Sequence, residues 1–108
     1  MADDLTSRSA SELARLIRSR QVSSIEVVRA HLDRIERVNP TLHAVVQLRA
    51  EAALDDGRRA DASLAAGHDI GPLHGVPFTV KDWIETQDLP CLGELREPRD
   101  SLPKRDAT

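Results

Sequence analysis

The stretch Leu42-His-Ala-Val-Val-Gln-Leu48, the alanine-rich residues 49–66 and the later Phe78-Thr-Val-Lys81 decide how the fold is read. Residues 42–48 are short and β-branched at their centre, which suits a strand better than a helix. Residues 49–66 carry Ala52, Ala53, Ala60 and Leu64 at helical spacing, a small apolar face. Gly57 weakens that helix by roughly 1 kcal/mol relative to alanine. Gly67 is a natural stop. Gly71-Pro-Leu-His-Gly-Val-Pro77 then breaks regular structure, and residues 78–81 extend again. Strand, long helix and strand in this order predict a βαβ unit, with a parallel pair and a right-handed crossover.

Upstream of this unit lie two capping boxes, Ser9-Ala-Ser-Glu12 and Ser23-Ser-Ile-Glu26, in which a serine accepts from a helix N–H and a glutamate reaches back. After the first, Leu13, Leu16 and Ile17 share a helical face and Arg15, Arg18 and Arg20 lie off it, predicting a short amphipathic helix over about 10–19. After the second, Ile25, Val28, Leu32, Ile35 and Val38 form a stripe. That helix is expected to end near Asn39-Pro40, because proline disfavours helix in the residue before it. The expected class is therefore α/β: a helical hairpin over 1–40, a strand-helix-strand start of a mixed sheet over 41–82, and a loop over 83–108 punctuated by Pro90, Pro98 and Pro103. A two-stranded parallel sheet is not a finished domain. The chain is accordingly expected to be the N-terminal part of a larger domain, with an open sheet edge that promotes self-association of the short piece.

Composition narrows the function. At 108 residues, with 40% apolar and 31% charged side chains, the chain can bury only a thin core. A formal charge of -3 and no basic cluster interleaved with aromatics argue against direct nucleic-acid binding. No apolar run exceeds three residues, against the roughly 20 a membrane helix needs. The single cysteine, Cys91, excludes an internal disulfide, and the start Met-Ala-Asp-Asp is acidic where a secretion signal is basic, so a cytoplasmic chain is expected.

Only two of the fifteen Lys and Arg side chains are lysines, Lys81 and Lys104, and arginine does not give up a proton in proteins. Lys81 ends the second expected strand, where ligands of open α/β sheets bind. Phe78 and Trp83, the only aromatics, lie within three positions of it and could exclude water, lowering the pKa of an amine; the plain alternative is an exposed lysine at a strand end. His31, His43, His68 and His74 show no metal spacing, and Cys91 has no second cysteine to join it. His74 either lines a pocket or is a loop histidine bonded to backbone, the commoner outcome. Asp82 either orients Lys81 or caps the following turn, and the cap is preferred since strand neighbours point to opposite faces. Ser101-Leu-Pro-Lys104 fits a Ser-x-x-Lys pattern without the two further motifs that mechanism needs.

The twelve residues Gly71-Pro-Leu-His-Gly-Val-Pro-Phe-Thr-Val-Lys-Asp82 resemble the lysine segment of the amidase signature family, serine hydrolases that cleave carboxamides. The paired N-terminal helices, the expected strand beginning after Asn39-Pro40, and Leu89-Pro-Cys-Leu-Gly93 through Arg105-Asp-Ala-Thr108 are similar to the start of such enzymes as well. The resemblance implies a nucleophilic serine, a bridging serine held by a cis peptide and a lysine base, of which Lys81 matches the lysine. It implies a small-molecule amide substrate, no cofactor and no metal. The two serines belong to a Gly- and Ser-rich segment, whereas none of the five glycines here adjoins a serine. Leu92 stands where a small hydroxyl residue usually follows Cys91, and Glu94-Leu-Arg replaces a glycine-containing turn. The 108-residue chain alone is therefore expected to be inactive, since a base without nucleophile and oxyanion donors contributes little. The alternative is a noncatalytic helical module that binds a partner through its apolar stripes, or the remnant of a truncated gene.

Overall fold

The structure, a computed structural model, describes residues 4–81. They belong to two compact units, Met1–Val45 with Arg49–Pro77, and Val46–Leu48 with Phe78–Thr108. The first holds all the regular structure among the described residues: a 3-10 turn at Leu5–Ser7 and helices α1 (Ala10–Arg18), α2 (Ser24–Leu42) and α3 (Ala50–Ala65).

Both capping boxes form. In α1 the Ser9 N–H donates to Glu12 Oε2 at 2.8 Å and the Glu12 N–H to Ser9 Oγ at 3.2 Å. In α2 the Ser23 N–H donates to Glu26 Oε2 at 2.7 Å and the Glu26 N–H to Ser23 Oγ at 3.1 Å. Helix α1 ends in a Schellman motif, Arg20 N–H to Ile17 O at 2.9 Å and Gln21 N–H to Leu16 O at 3.0 Å, with Arg20 in the left-handed region at φ 61°. A side chain there costs about 1–2 kcal/mol. In return the Arg20 guanidinium donates to Leu64 O at 3.0 Å and ties the end of α1 to the end of α3. Helix α3 closes the same way on Gly67, at φ 74°, the stop expected from the sequence.

Helix α3 runs back along α2. Gly57 leaves α3 unbroken and lies buried at this contact, where a built Cβ would sit 3.4 Å from Ile25 Cα and 3.5 Å from Val28 Cγ2, ordinary van der Waals contact. Helix α1 meets α2 through Leu13, Ile17 and Val27, against which Leu5, Val22, Leu64 and Val76 pack. Val27 lies off the stripe read from the sequence yet is 0% exposed, because α2 is covered from more than one side. Of the expected stripe, Val28 is buried and Ile25, Leu32, Ile35 and Val38 are half-buried.

The expected α/β class, with its strand-helix-strand start of a mixed sheet, is not what folds: the described residues form helices and no strand. Three causes act on the first expected strand. Helix α2 continues through Pro40 to Leu42, since a proline in the last turn forfeits one N–H bond and the helix still closes, His43 N–H to Asn39 O at 2.7 Å. The Asn39 amide then takes both backbone groups of Val45, its Nδ2 donating to Val45 O and its Oδ1 accepting from Val45 N–H, each at 2.9 Å. Those are groups a β-ladder would use. Finally the chain bends at residues 46–47. Residues 78–81 have the side chains of a strand but no ladder partner among the described residues. The loop expected over 83–108, with Trp83, Cys91, Ser101 and Lys104, and the Asp82 cap lie outside the described residues. Among the described residues no helix is long and apolar enough to cross a membrane.

The Glu12 carboxyl lies below its ordinary value of 4.5, first because it accepts the Ser9 N–H, which favours the charged form. A lowered carboxyl contributes stability that is complete above the unfolded value and is lost as pH falls through the folded one. Glu12→Gln removes this titration. The stability difference between the parent and Glu12→Gln, read from urea denaturation at a series of pH values, should shrink steadily below about pH 4.5. A difference independent of pH would show that the box does not titrate.

Candidate functional site

The segment that carries the candidate lysine starts inside the helical unit and leaves it. Residues 71–76 form two successive turns, His74 N–H to Gly71 O at 3.3 Å and Val76 N–H to Leu73 O at 3.1 Å, and Gly75 takes φ 81°. Each of the three helices holds this loop. From α1, Arg18 Nη2 donates to Gly71 O at 3.1 Å. From α2, Ser24 Oγ donates to Gly75 O at 2.6 Å. Toward α3, His74 Nε2 lies 2.8 Å from Ala60 O. A carbonyl only accepts, so Nε2 carries the proton. Val76 packs on the apolar core.

Ser24 is 1% exposed, the one fully buried polar side chain among the described residues. Its N–H donates to Asp61 Oδ1 at 2.7 Å, and the Ile25 N–H donates to Asp61 Oδ2 at 3.1 Å. An α-helix leaves four N–H groups without internal partners at its start. In α2 the box takes those of Ser23 and Glu26, and Asp61 takes those of Ser24 and Ile25. The carboxylate also sits where the helix dipole favours negative charge.

Beyond Pro77 the second unit begins. Phe78 is 85% exposed, and Val80 and Lys81 are also exposed. Trp83, the other aromatic expected beside the lysine, lies outside the described residues. Of the histidines, His74 bonds backbone, one of its two expected roles. His31 Nδ1 lies 2.8 Å from Val27 O one turn earlier in its helix. His43 is the left-handed cap of α2, φ 50°, and His68 follows the stop of α3. Sequence reasoning missed Ser24 and Asp61. The doubled serine Ser23-Ser24 was the available signal, since one hydroxyl completes the box and the second is left for another use; nothing marks Asp61 in the middle of a helix.

A family model described as Amidase matches residues 26–108, more than three quarters of the chain. The chain belongs to the amidase family. It is the family that residues 71–82 resemble. Among curated relatives, a glutamyl-tRNA(Gln) amidotransferase subunit of Acidothermus cellulolyticus is 46% identical over 105 residues, 97% of this chain and 21% of that protein. The corresponding subunit from Salinispora arenicola is 45% identical over 105 residues, 97% of this chain and 21% of that protein. AmiD of Mycobacterium tuberculosis H37Rv, an amidase by name alone, is 43% identical over 106 residues, 98% of this chain and 22% of that protein. This amidase-family chain thus spans about a fifth of the length of the curated relatives it matches.

Gly75 tests how tightly the loop is seated. A Cβ there would lie 3.0 Å from both Cβ and Oγ of Ser24 and 3.3 Å from Ile17 Cγ2, in a backbone conformation that penalises side chains. Ser24 belongs to a helix and Ile17 to the core, so neither yields cheaply. Gly75→Ala should lower the free energy of unfolding by at least about 2 kcal/mol, the sum of left-handed strain and overpacking. Urea denaturation checks this, and a loss below about 0.5 kcal/mol, the ordinary surface range, would show a loosely held loop.

Proposed function

We propose that this chain is the lysine-bearing N-terminal part of an amidase-family hydrolase that cleaves carboxamide C–N bonds, with Lys81 as its base. The observation that carries the proposal is the segment Gly71 to Asp82, in a chain that belongs to the family and offers no other lysine within that segment. Relatives named as an amidase and as part of an amidotransferase match at comparable identity, 43% and 46%, and the substrate class proposed for this chain is a carboxamide.

In the proposed chemistry a neutral lysine amine takes a proton through the bridging serine from the nucleophilic serine, whose oxygen attacks the amide carbonyl carbon. The C–N bond breaks, the proton passes to the leaving nitrogen, and water then cleaves the acyl-serine ester to restore the free serine. The base must be able to lose its proton at working pH, which lysine can do and arginine cannot. Neither serine has a counterpart in a Gly- and Ser-rich segment of residues 1–108, so the 108-residue chain by itself is proposed to turn over no amide.

The test is made in the complete enzyme, in which this segment is joined to the downstream part of an amidase-family protein. Lys81→Arg keeps the charge and removes the base; turnover should fall at least about a hundredfold, the lower end of what a positioned general base supplies. Lys81→Met, which keeps the aliphatic stem, should do the same. Near-normal turnover of Lys81→Arg would make Lys81 a charge and not a base.

A further inference from the structure

The lysine is separated from a rigidly held loop by very little chain. Lys81 follows Pro77 by four residues, so its Cα lies within about 14 Å of Pro77 Cα even at full extension. Upstream of that point the loop is fixed on α1, α2 and α3 by the Arg18, Ser24 and His74 bonds and by Val76 in the core. Downstream, Phe78, Val80 and Lys81 are exposed. Of the anchors, Ser24 is the innermost, and it is itself fixed by Asp61 through its own N–H. At the start of α2 the capping box meets the N–H groups of Ser23 and Glu26, and Asp61 meets those of Ser24 and Ile25. What Asp61 adds is a link from α3 to the residue that grips Gly75.

We infer that Ser24 and Asp61 are positioning residues for Lys81: together they form a latch that holds the Gly71–Pro77 loop and thereby fixes where the lysine-bearing residues start. This inference rests on the reading of Lys81 as the base. The latch touches no substrate; it acts through the loop. A neutral amine transfers a proton productively only within hydrogen-bond reach of its partner, so a loosened mount lowers the rate of the chemical step before it changes substrate affinity.

The experiment uses the complete enzyme and compares Ser24→Ala, Asp61→Asn and Lys81→Arg, with the double variant of Ser24→Ala and Lys81→Arg. Turnover is expressed per active site, titrated with a serine-directed reagent, so unfolded molecules do not count. Ser24→Ala and Asp61→Asn should each lower kcat at least about tenfold with KM within about twofold, an interaction realised only in the chemical step. Ser24→Ala should add little loss to Lys81→Arg, because both act through one group. Amide exchange at His74 and Val76, whose N–H groups are bonded in the loop turns, should quicken at least about tenfold in Ser24→Ala, a readout of local opening that needs no catalysis. Unchanged kcat per titrated site with a lower melting temperature would reduce the latch to a structural contact and overturn the inference. So would full additivity of the two losses, or unchanged exchange at His74 and Val76. If Lys81→Arg keeps its turnover, the base reading fails, and the exchange arm still decides whether the latch holds the loop.

Discussion

The carboxylate of Asp61 at the start of α2 is the constraint on which the helical unit depends. It accepts the N–H groups of Ser24 and Ile25 at 2.7 and 3.1 Å, and with the Ser23–Glu26 box it leaves no donor of that helix end unmet. An unmet buried donor costs about 1–3 kcal/mol, so the joint has to form as a whole. The same contact sets the register of α3 along α2. With Asp61 beside Ser24, Gly57 falls one turn of α3 earlier, opposite Ile25 and Val28, and its lack of a side chain leaves the two backbones close there. An alanine-rich helix buries little apolar area by itself. Here close backbone approach and a charged bond between helices compensate for side chains that are small.

From this joint the bonds pass outward to the loop. Ser24 is held by its N–H and grips Gly75 O with its hydroxyl; Arg18 and His74 hold the loop on the N-terminal side of Gly75. The core contributes through Val76, packed with Leu13, Ile17 and Val27. A segment with two prolines and two glycines would otherwise keep much conformational freedom, and it is fixed by neighbours from three helices instead of by regular structure of its own. This is the arrangement expected of a functional loop on a rigid scaffold.

Local chemistry was legible in the sequence; long-range partnership was not. Ser9, Glu12, Ser23 and Glu26 announced two helix starts because a capping box is complete within four residues, and Gly67 announced a stop for the same reason. The strand expected at residues 42–48 failed because β-branched content states which side chains a sheet would accept and not whether a partner strand exists. Here the Asn39 amide takes the backbone of Val45 instead. The family was legible because residues 71–82 form one contiguous motif, and the family match bears it out. Ser24 and Asp61 escaped notice because they lie 37 residues apart and meet only through the fold.

Native-state hydrogen exchange with and without Asp61→Asn tests the joint most directly. The amides of Ser24 and Ile25, bonded to Asp61, and those of His74 and Val76, in the loop turns, are expected to open in one cooperative step. Asp61→Asn is expected to lower the opening free energy of all four by the same amount. If the loop amides keep their parent opening free energy while those of Ser24 and Ile25 lose theirs, the loop is held independently of the joint and the account is contradicted.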